Sequence, residues 1–362
     1  MTLAFILEFA ERFPMFWANG KRGPMIRRTA WVVCAVVLSG CAHPQGVLFE
    51  SIDPPKVWPP PPETPRIRLI GELSDSSDLK AAVTGGEAFR TVLRGPRPPI
   101  RFLGPHGMAY HERGLLAVAD TAGATVHLLD LESRTHVRIG GWNDERFRAP
   151  IGLAWVGDRL FVTDVERGEV IEFNMHGEFQ QRFGGEDMER PVGIVYVPLR
   201  DRLYVVDRAR HHLVVFRLDG TAERTWGEYG AEPGQFNFPT HVTCSGQRLA
   251  VSDTGNFRVQ LLDLDGRCIR TIGQKGNGAG DFALPKGVAF DSEGNLYVVD
   301  SQFENVQIFD RTGRLLLAFG REGRNPGEFW LPSGIAIDHQ DRIWIADGGN
   351  RRIQVFAYLR AS

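Results

Sequence analysis

Two histidines are the residues of this 362-residue chain best suited to chemistry. His106 follows Pro105, and His241 follows Pro239-Thr240. An imidazole can ligate a metal, move a proton or hydrogen-bond an anion. Lys286 follows Pro285 and Ser333 follows Pro332, so His106, Thr240, His241, Lys286 and Ser333 recur at one kind of place beside a proline. Together they would line a polar, mildly basic mouth suited to a carboxylate, a peptide terminus or a glycan. Two histidines fall short of the three protein ligands of a catalytic zinc, so no metal and no cofactor is expected there. The chain has no Gly-x-Ser-x-Gly elbow, no His-Glu-x-x-His and no Cys-x-x-Cys-His haem attachment, and no catalytic residue is assigned.

A second cluster is Asp207-Arg-Ala-Arg-His-His212. Arg208, Arg210, His211 and His212 make a local positive patch, and Arg351 and Arg352 occupy a similar turn further on. Docking of a protein, peptide or glycan is the use this suggests. The formal charge of -2 opposes nucleic-acid binding.

These residues are positioned by a repeat. The anchors are Pro105-His-Gly, Pro150-Ile-Gly, Pro191-Val-Gly, Pro239-Thr-His, Pro285-Lys-Gly and Pro332-Ser-Gly, at intervals of 45, 41, 48, 46 and 47 residues. An aspartate follows each anchor by 14 to 16 residues: Asp120, Asp164, Asp207, Asp253, Asp300 and Asp347. A period in the forties made of short strands signals a propeller. In the fourth unit the strands are predicted at His241–Cys244, Arg248–Ser252, Arg258–Leu262 and Cys268–Ile272. The period leaves no room for a crossover helix, which excludes a parallel α/β sheet. The fold class is therefore all-β: six four-stranded antiparallel blades. A histidine takes the anchor glycine's place at position 241 only where there is room for a side chain.

Linkers such as Gly227–Phe236 join one blade to the next, and Phe236, Phe282 and Phe329 are predicted to wedge between blades, with Phe147 doing so after unit one. The aspartates should accept backbone N–H groups in the following turn, with Asn256 and Asn350 taking the left-handed conformation. Six copies serve six blades, not one metal site. Cys244 and Cys268 fall on strands that are not neighbours, so free thiols are expected.

Toward the N-terminus, Met25-Ile-Arg-Arg, the apolar run Ala30–Leu38 and Leu38-Ser-Gly-Cys41 resemble a bacterial lipoprotein signal. The resemblance implies export, cleavage before Cys41 and lipidation of Cys41, with Met25 a second candidate start. Ala42, in place of a retaining aspartate, favours the outer membrane. Removing residues 1–40 takes away five basic and two acidic side chains and moves the charge from -2 to -5. Residues 41–65, rich in proline, are expected to be an extended tether. Residues 66–362 are the propeller. In it, Arg66–Gly71 supplies the fourth strand that the sixth unit lacks, 74–104 is an irregular connection with short helices after Ser74 or Asp75 and over Glu87–Leu93, and 105–357 are the repeats.

The unit resembles the NHL repeat of six-bladed β-propellers, most strongly over 235–357, and with the lipobox the chain is similar to bacterial NHL-repeat lipoproteins of unassigned activity. A rigid, broad disc whose loops vary without disturbing the sheets suits a monomeric, non-catalytic binding or assembly scaffold for an envelope protein, peptide or glycan, anchored through Cys41. The alternative is a metal-dependent lyase or lactonase-like hydrolase around His106 and His241, because Pro105-His106-Gly107 resembles one of the histidine motifs of the peptidyl-amidating lyases. Histidine is missing from the other five positions.

Overall fold

A computed structural model describes residues 46–81, 91, 93–95 and 98–359. Nearly all of them belong to one compact unit, Pro44–Ala82 with Pro98–Ser362. Thr91, Leu93 and Arg94, in a separate unit, are helical. The rest of the expected Glu87–Leu93 helix lies outside the described residues, as do the signal segment and Cys41.

The unit is a six-bladed β-propeller. Five blades are antiparallel four-stranded sheets whose strands follow chain order, starting at Pro105, Pro150, Pro191, Val242 and Pro285. The sixth holds Pro332–Ile337, Arg342–Asp347 and Arg352–Tyr358, and its fourth strand comes from the other end of the chain. That strand, Ile67–Leu73, pairs antiparallel with Arg352–Tyr358 from Ile67 opposite Tyr358 to Leu73 opposite Ile353. It runs to Leu73, beyond the expected Gly71, because Leu73 is buried against the core between the last and first blades. In the fourth blade the first strand is Val242–Ser245, one residue later than predicted.

Six apolar cores lie between adjacent blades, and each receives one side chain from the entering linker. The wedges are Phe102, Phe147, Met188, Phe236, Phe282 and Phe329, all buried and all three residues before the anchor position. The first strands line the axis, each touching the next, with Pro332–Ile337 touching Pro105–Tyr110 to complete the circle. Contact at the axis is too close for a side chain. A Cβ on Gly107 would stand 1.8 Å from the Ile151 carbonyl oxygen, and one on Gly334 would stand 1.9 Å from that of His106.

Two expectations need correction. The proline-rich stretch does not stand clear of the fold. Val57–Trp58 pairs with Ile67 and Arg68 as an edge strand, the Trp58 ring lies 5.9 Å from Phe319 and 5.7 Å from Phe356, and Phe49 lies 6.0 Å from Trp344. Prolines tolerate a sheet edge, and burial of the apolar side chains between them holds the segment down. The helix after Asp75 is a single 3-10 turn, Ser76–Leu79, stopped by Lys80 in the left-handed region at φ 51.

The closing strand should be a point of high leverage. Leu69 is 3% exposed. Leu69→Ala should cost about 2–5 kcal/mol in urea unfolding, whereas Leu103→Ala, at an exposed site, should stay within about 0.5 kcal/mol. Equal small losses would contradict the closure described above.

Candidate functional site

Each anchor aspartate ties the linker entering its blade to the turn leaving the second strand. Asp300 accepts from Ala283 and Leu284 on the linker side and from Gln302 and Phe303 on the turn side. Asp120, Asp164 and Asp207 repeat the arrangement. At Asp120, burial raises the carboxyl's pKa, but hydrogen bonds from His127 and three backbone N–H groups outweigh it and hold it below the usual range. At Asp347 burial wins, and the carboxyl lies above its usual range. Asn256 and Asn350 are not the left-handed residues. Phe257 and Arg351 are, each at φ 57, because the asparagine amides are used to reach Asp253 with Gly230 and Asp347 with Gly323.

Linkers and second-to-third turns therefore share one face of the ring, and the axis opens on it. Here His106 of blade one and His241 of blade four, opposite each other, stack with centroids 5.7 Å apart and planes 5° from parallel. Each residue keeps some exposed surface, yet Nδ1 of His106 and both nitrogens of His241 are buried without hydrogen-bond partners. Burial, with the nearby Lys286 charge adding to it, lowers the His106 pKa to about 3. Burial, then His106, then Lys286 take His241 well below its ordinary value. Both rings are therefore neutral near pH 7. A metal lies in the plane of its imidazole ligand, about 2.0–2.1 Å from nitrogen, so two parallel rings at this offset do not converge on one ion. Among the described residues no group of three or more His, Cys, Asp or Glu is placed to hold a metal.

Lys286 joins the pair, its pKa lowered by burial and then by Arg208. The other two expected residues are used by the wall. Thr240 is buried with its hydroxyl 2.8 Å from that of Thr254, and the Ser333 hydroxyl donates to the His106 carbonyl at 3.4 Å. Similar hydroxyl-to-carbonyl bonds cross between blades from Thr121 to Pro150, Thr163 to Val192, Thr254 to Pro285 and Ser301 to Pro332.

The expected positive patch divides. Arg208 is exposed, with its guanidinium 5.5 Å from the Phe238 ring. Arg210 donates to the carbonyls of Glu186 and Asp187. His211 packs against Phe238 and Tyr229, and its Nδ1 accepts from the Phe238 N–H. His212 is half-buried near Asp207, and burial lowers its pKa. Arg351 is exposed, but Arg352 is not a surface residue: it lies between Asp347 and Glu72, each 2.9 Å away, so its charge is neutralised inside the sixth blade.

The sequence reading missed an aromatic rim. Tyr229, Phe238, Trp330 and Leu331 are exposed on this face. Arg324 covers Trp330 at 4.6 Å and Lys275 covers Phe257 at 5.0 Å. Phe238 and Leu331 precede the anchor prolines with φ of 45 and 51, a conformation uncommon for bulky residues. Their N–H groups turn from the blade's own aspartate to the preceding blade, Phe238 to His211 and Leu331 to Glu304. An apolar residue just before the proline was not a sufficient signal, since Leu284 of unit five has the same place and its N–H stays with Asp300. A separate polar groove of about 640 Å³ beside the Gly141–Arg146 hairpin is lined by none of the five axial residues.

The comparisons agree on the fold. The family DUF5128, described as a 6-bladed beta-propeller, matches residues 287–358. Protein brain tumor of Drosophila melanogaster is 26% identical over 132 residues, which is 35% of this chain and 13% of that protein. The chain thus matches only a small part of that relative. Among solved structures, virginiamycin B lyase from Staphylococcus aureus is similar at TM-score 0.54 and 14% identity, covering 72% of this chain and 96% of that one. An auxiliary nutrient binding protein from Bacteroides thetaiotaomicron is similar at TM-score 0.57 and 15% identity, covering 72% and 70%. A chain of a nidogen/laminin complex is similar at TM-score 0.50 and 21% identity, covering 61% and 82%. At these identities the likeness is one of fold.

The axial imidazoles set a pH dependence. An unfolded histidine titrates near about 6.5. With the folded pKa of His106 at about 3, the unfolded chain takes up a proton below about pH 6.5 that the folded chain refuses, so stability falls as pH falls from there toward about 3. His106→Gln should reduce the drop in urea midpoint between about pH 7 and about pH 5. An unchanged drop would contradict the burial of a neutral ring.

Proposed function

We propose that this six-bladed propeller of NHL-type repeats is a non-catalytic binding scaffold whose working surface is the face bearing the linkers and the second-to-third turns. The observation that carries the reading is the rim itself: exposed Tyr229, Phe238 and Trp330 with Arg208 and Arg324 stacked on aromatic rings, around an axis filled by two neutral, parallel imidazoles. Aromatic and arginine side chains supply most of the energy at protein interfaces. They are fixed here on linkers whose wedges are buried, so the surface is held in shape before a partner arrives.

In this reading the partner is an envelope protein or a peptide segment of one, the chain is exported and lipidated at Cys41, and the outer membrane is its site. The lipobox motif supports the export, and the roles of proteins with a similar fold, a nutrient binding protein and a chain of a nidogen/laminin complex among them, are compatible with a scaffold. The lyase-like alternative has less support, because the histidines do not converge on a metal position. The six residues after the anchor prolines, His106, Ile151, Val192, Thr240, Lys286 and Ser333, do not repeat a ligand set.

A photo-crosslinking side chain at position 238 should capture a discrete envelope partner. Phe238→Ala with Trp330→Ala should weaken that partner's binding by more than about tenfold, as expected for hot-spot loss. Leu199→Ala, on an exposed turn at the opposite end of the blades, should leave it unchanged. A stoichiometric, tightly held metal lost on replacing His106 or His241 would overturn the reading in favour of an enzyme.

A further inference from the structure

Each blade but the sixth ends in a fourth strand on the outer edge of the ring, with a single neighbour in its sheet. An open strand edge is a template for another chain, and proteins commonly block it with charge. Pairing to the third strand shows where that charge sits. Phe319 of blade five is opposite Val306, and the two residues before it are Leu317 and Ala318. In the same register the matching residues are Val137-Arg138, Gln181-Arg182, Arg224-Thr225 and Arg270-Thr271 in blades one to four. All four arginines are exposed. In blade six the matching residues are Gly71-Glu72, and Val57–Trp58 already pairs with part of that strand. Blade five has neither a charge nor, among the described residues, a covering strand. Its fourth strand, Leu315–Phe319, reads Leu-Leu-Leu-Ala-Phe, with the three leucines half-buried and Ala318 exposed.

We propose that the outer edge of blade five pairs with the same edge of a second copy of this chain, so that the protein forms a two-fold dimer through Leu315–Phe319 and not the expected monomer. A two-fold axis through the edge makes the strands antiparallel and sets the same residues against each other. Centred on Leu317, the contact brings leucine against leucine and places the two Ala318 residues diagonal to each other. On blades one to four the same contact puts each guanidinium opposite or diagonal to its own copy, which like charges oppose. The missing arginine therefore favours a copy of this chain in particular, since an acidic partner strand would be better served by the other four edges. Strand addition extends the backbone ladder of blade five and covers its leucines. Two five-residue strands make a small interface, so the dimer should dissociate on dilution. The fourth strand of each blade runs toward the working face, so antiparallel pairing points the two working faces in opposite directions and leaves both open. The dimer does not depend on what that face binds.

The test is sedimentation of the full-length protein over a range of concentration. The sedimentation coefficient should rise from that of a monomer to that of a dimer as the concentration rises. Ala318→Arg gives blade five the guard of blades one and two, at an exposed site. It should weaken association by about fivefold, the scale of one unfavourable cross-strand pair. Ala318→Glu should weaken it likewise. Mixing the two variants in equal amounts should restore association, because opposite charges then meet across the axis. Thr225→Arg, at the matching position of blade three, should change nothing. A monomer at every concentration would overturn the proposal, whether another segment of this chain or a different protein covers the edge. So would a dimer that Ala318→Arg leaves unchanged, or an association that mixing the two variants fails to restore, since position 318 would then meet some other surface.

Discussion

The structure depends on a carboxylate used as a clamp. In each blade an aspartate at the end of the second strand is withdrawn from water and surrounded by N–H groups from the incoming linker and the outgoing turn. Most of those donors are irregular backbone that no sheet partner satisfies, with the Asn256 and Asn350 amides on the turn side of blades four and six, so the aspartate answers an obligatory demand. The same bonds fix the linker immediately after its wedge side chain, as at Ala283 and Leu284 after Phe282. Wedge and clamp thus act together: one fills the apolar space between neighbouring blades, and the other sets where the filling side chain enters.

The clamp also explains how the working face varies while the sheets do not. In blades four and six the residue before the anchor proline is left-handed, and its N–H leaves the local aspartate for the turn of the blade before. The side chain at that position, Phe238 or Leu331, is exposed on the rim. Two departures from a sixfold rule therefore create the apolar part of the surface. A third departure, His241 at an anchor glycine, fills the axis with a stacked pair instead of a glycine-to-carbonyl contact.

The architecture was legible from spacing. The anchors and aspartates marked six blades, and the missing fourth strand pointed to Arg66–Gly71. What spacing could not show was orientation. Arg352 and Arg351 are adjacent and alike in sequence, yet one begins a strand facing Asp347 and the other occupies an exposed left-handed turn. Met188 was not legible as a wedge because it breaks the run of phenylalanines, and Phe102 was not because unit one has no preceding linker of the same form. Position relative to the proline, three residues before it, would have found both. Trp58 was read by its proline neighbours as part of a free tether, but a single large ring with Phe319 and Phe356 beneath it outweighs their lack of donors.

The most direct test of this account is the unfolding free energy of Asp300→Ala, in blade five. The substitution leaves the N–H groups of Ala283, Leu284, Gln302 and Phe303 without their acceptor. The account expects a loss of about 3 kcal/mol or more, since each buried donor left unsatisfied costs about 1–3 kcal/mol. A loss below about 0.5 kcal/mol, the level of an ordinary surface substitution, would contradict it.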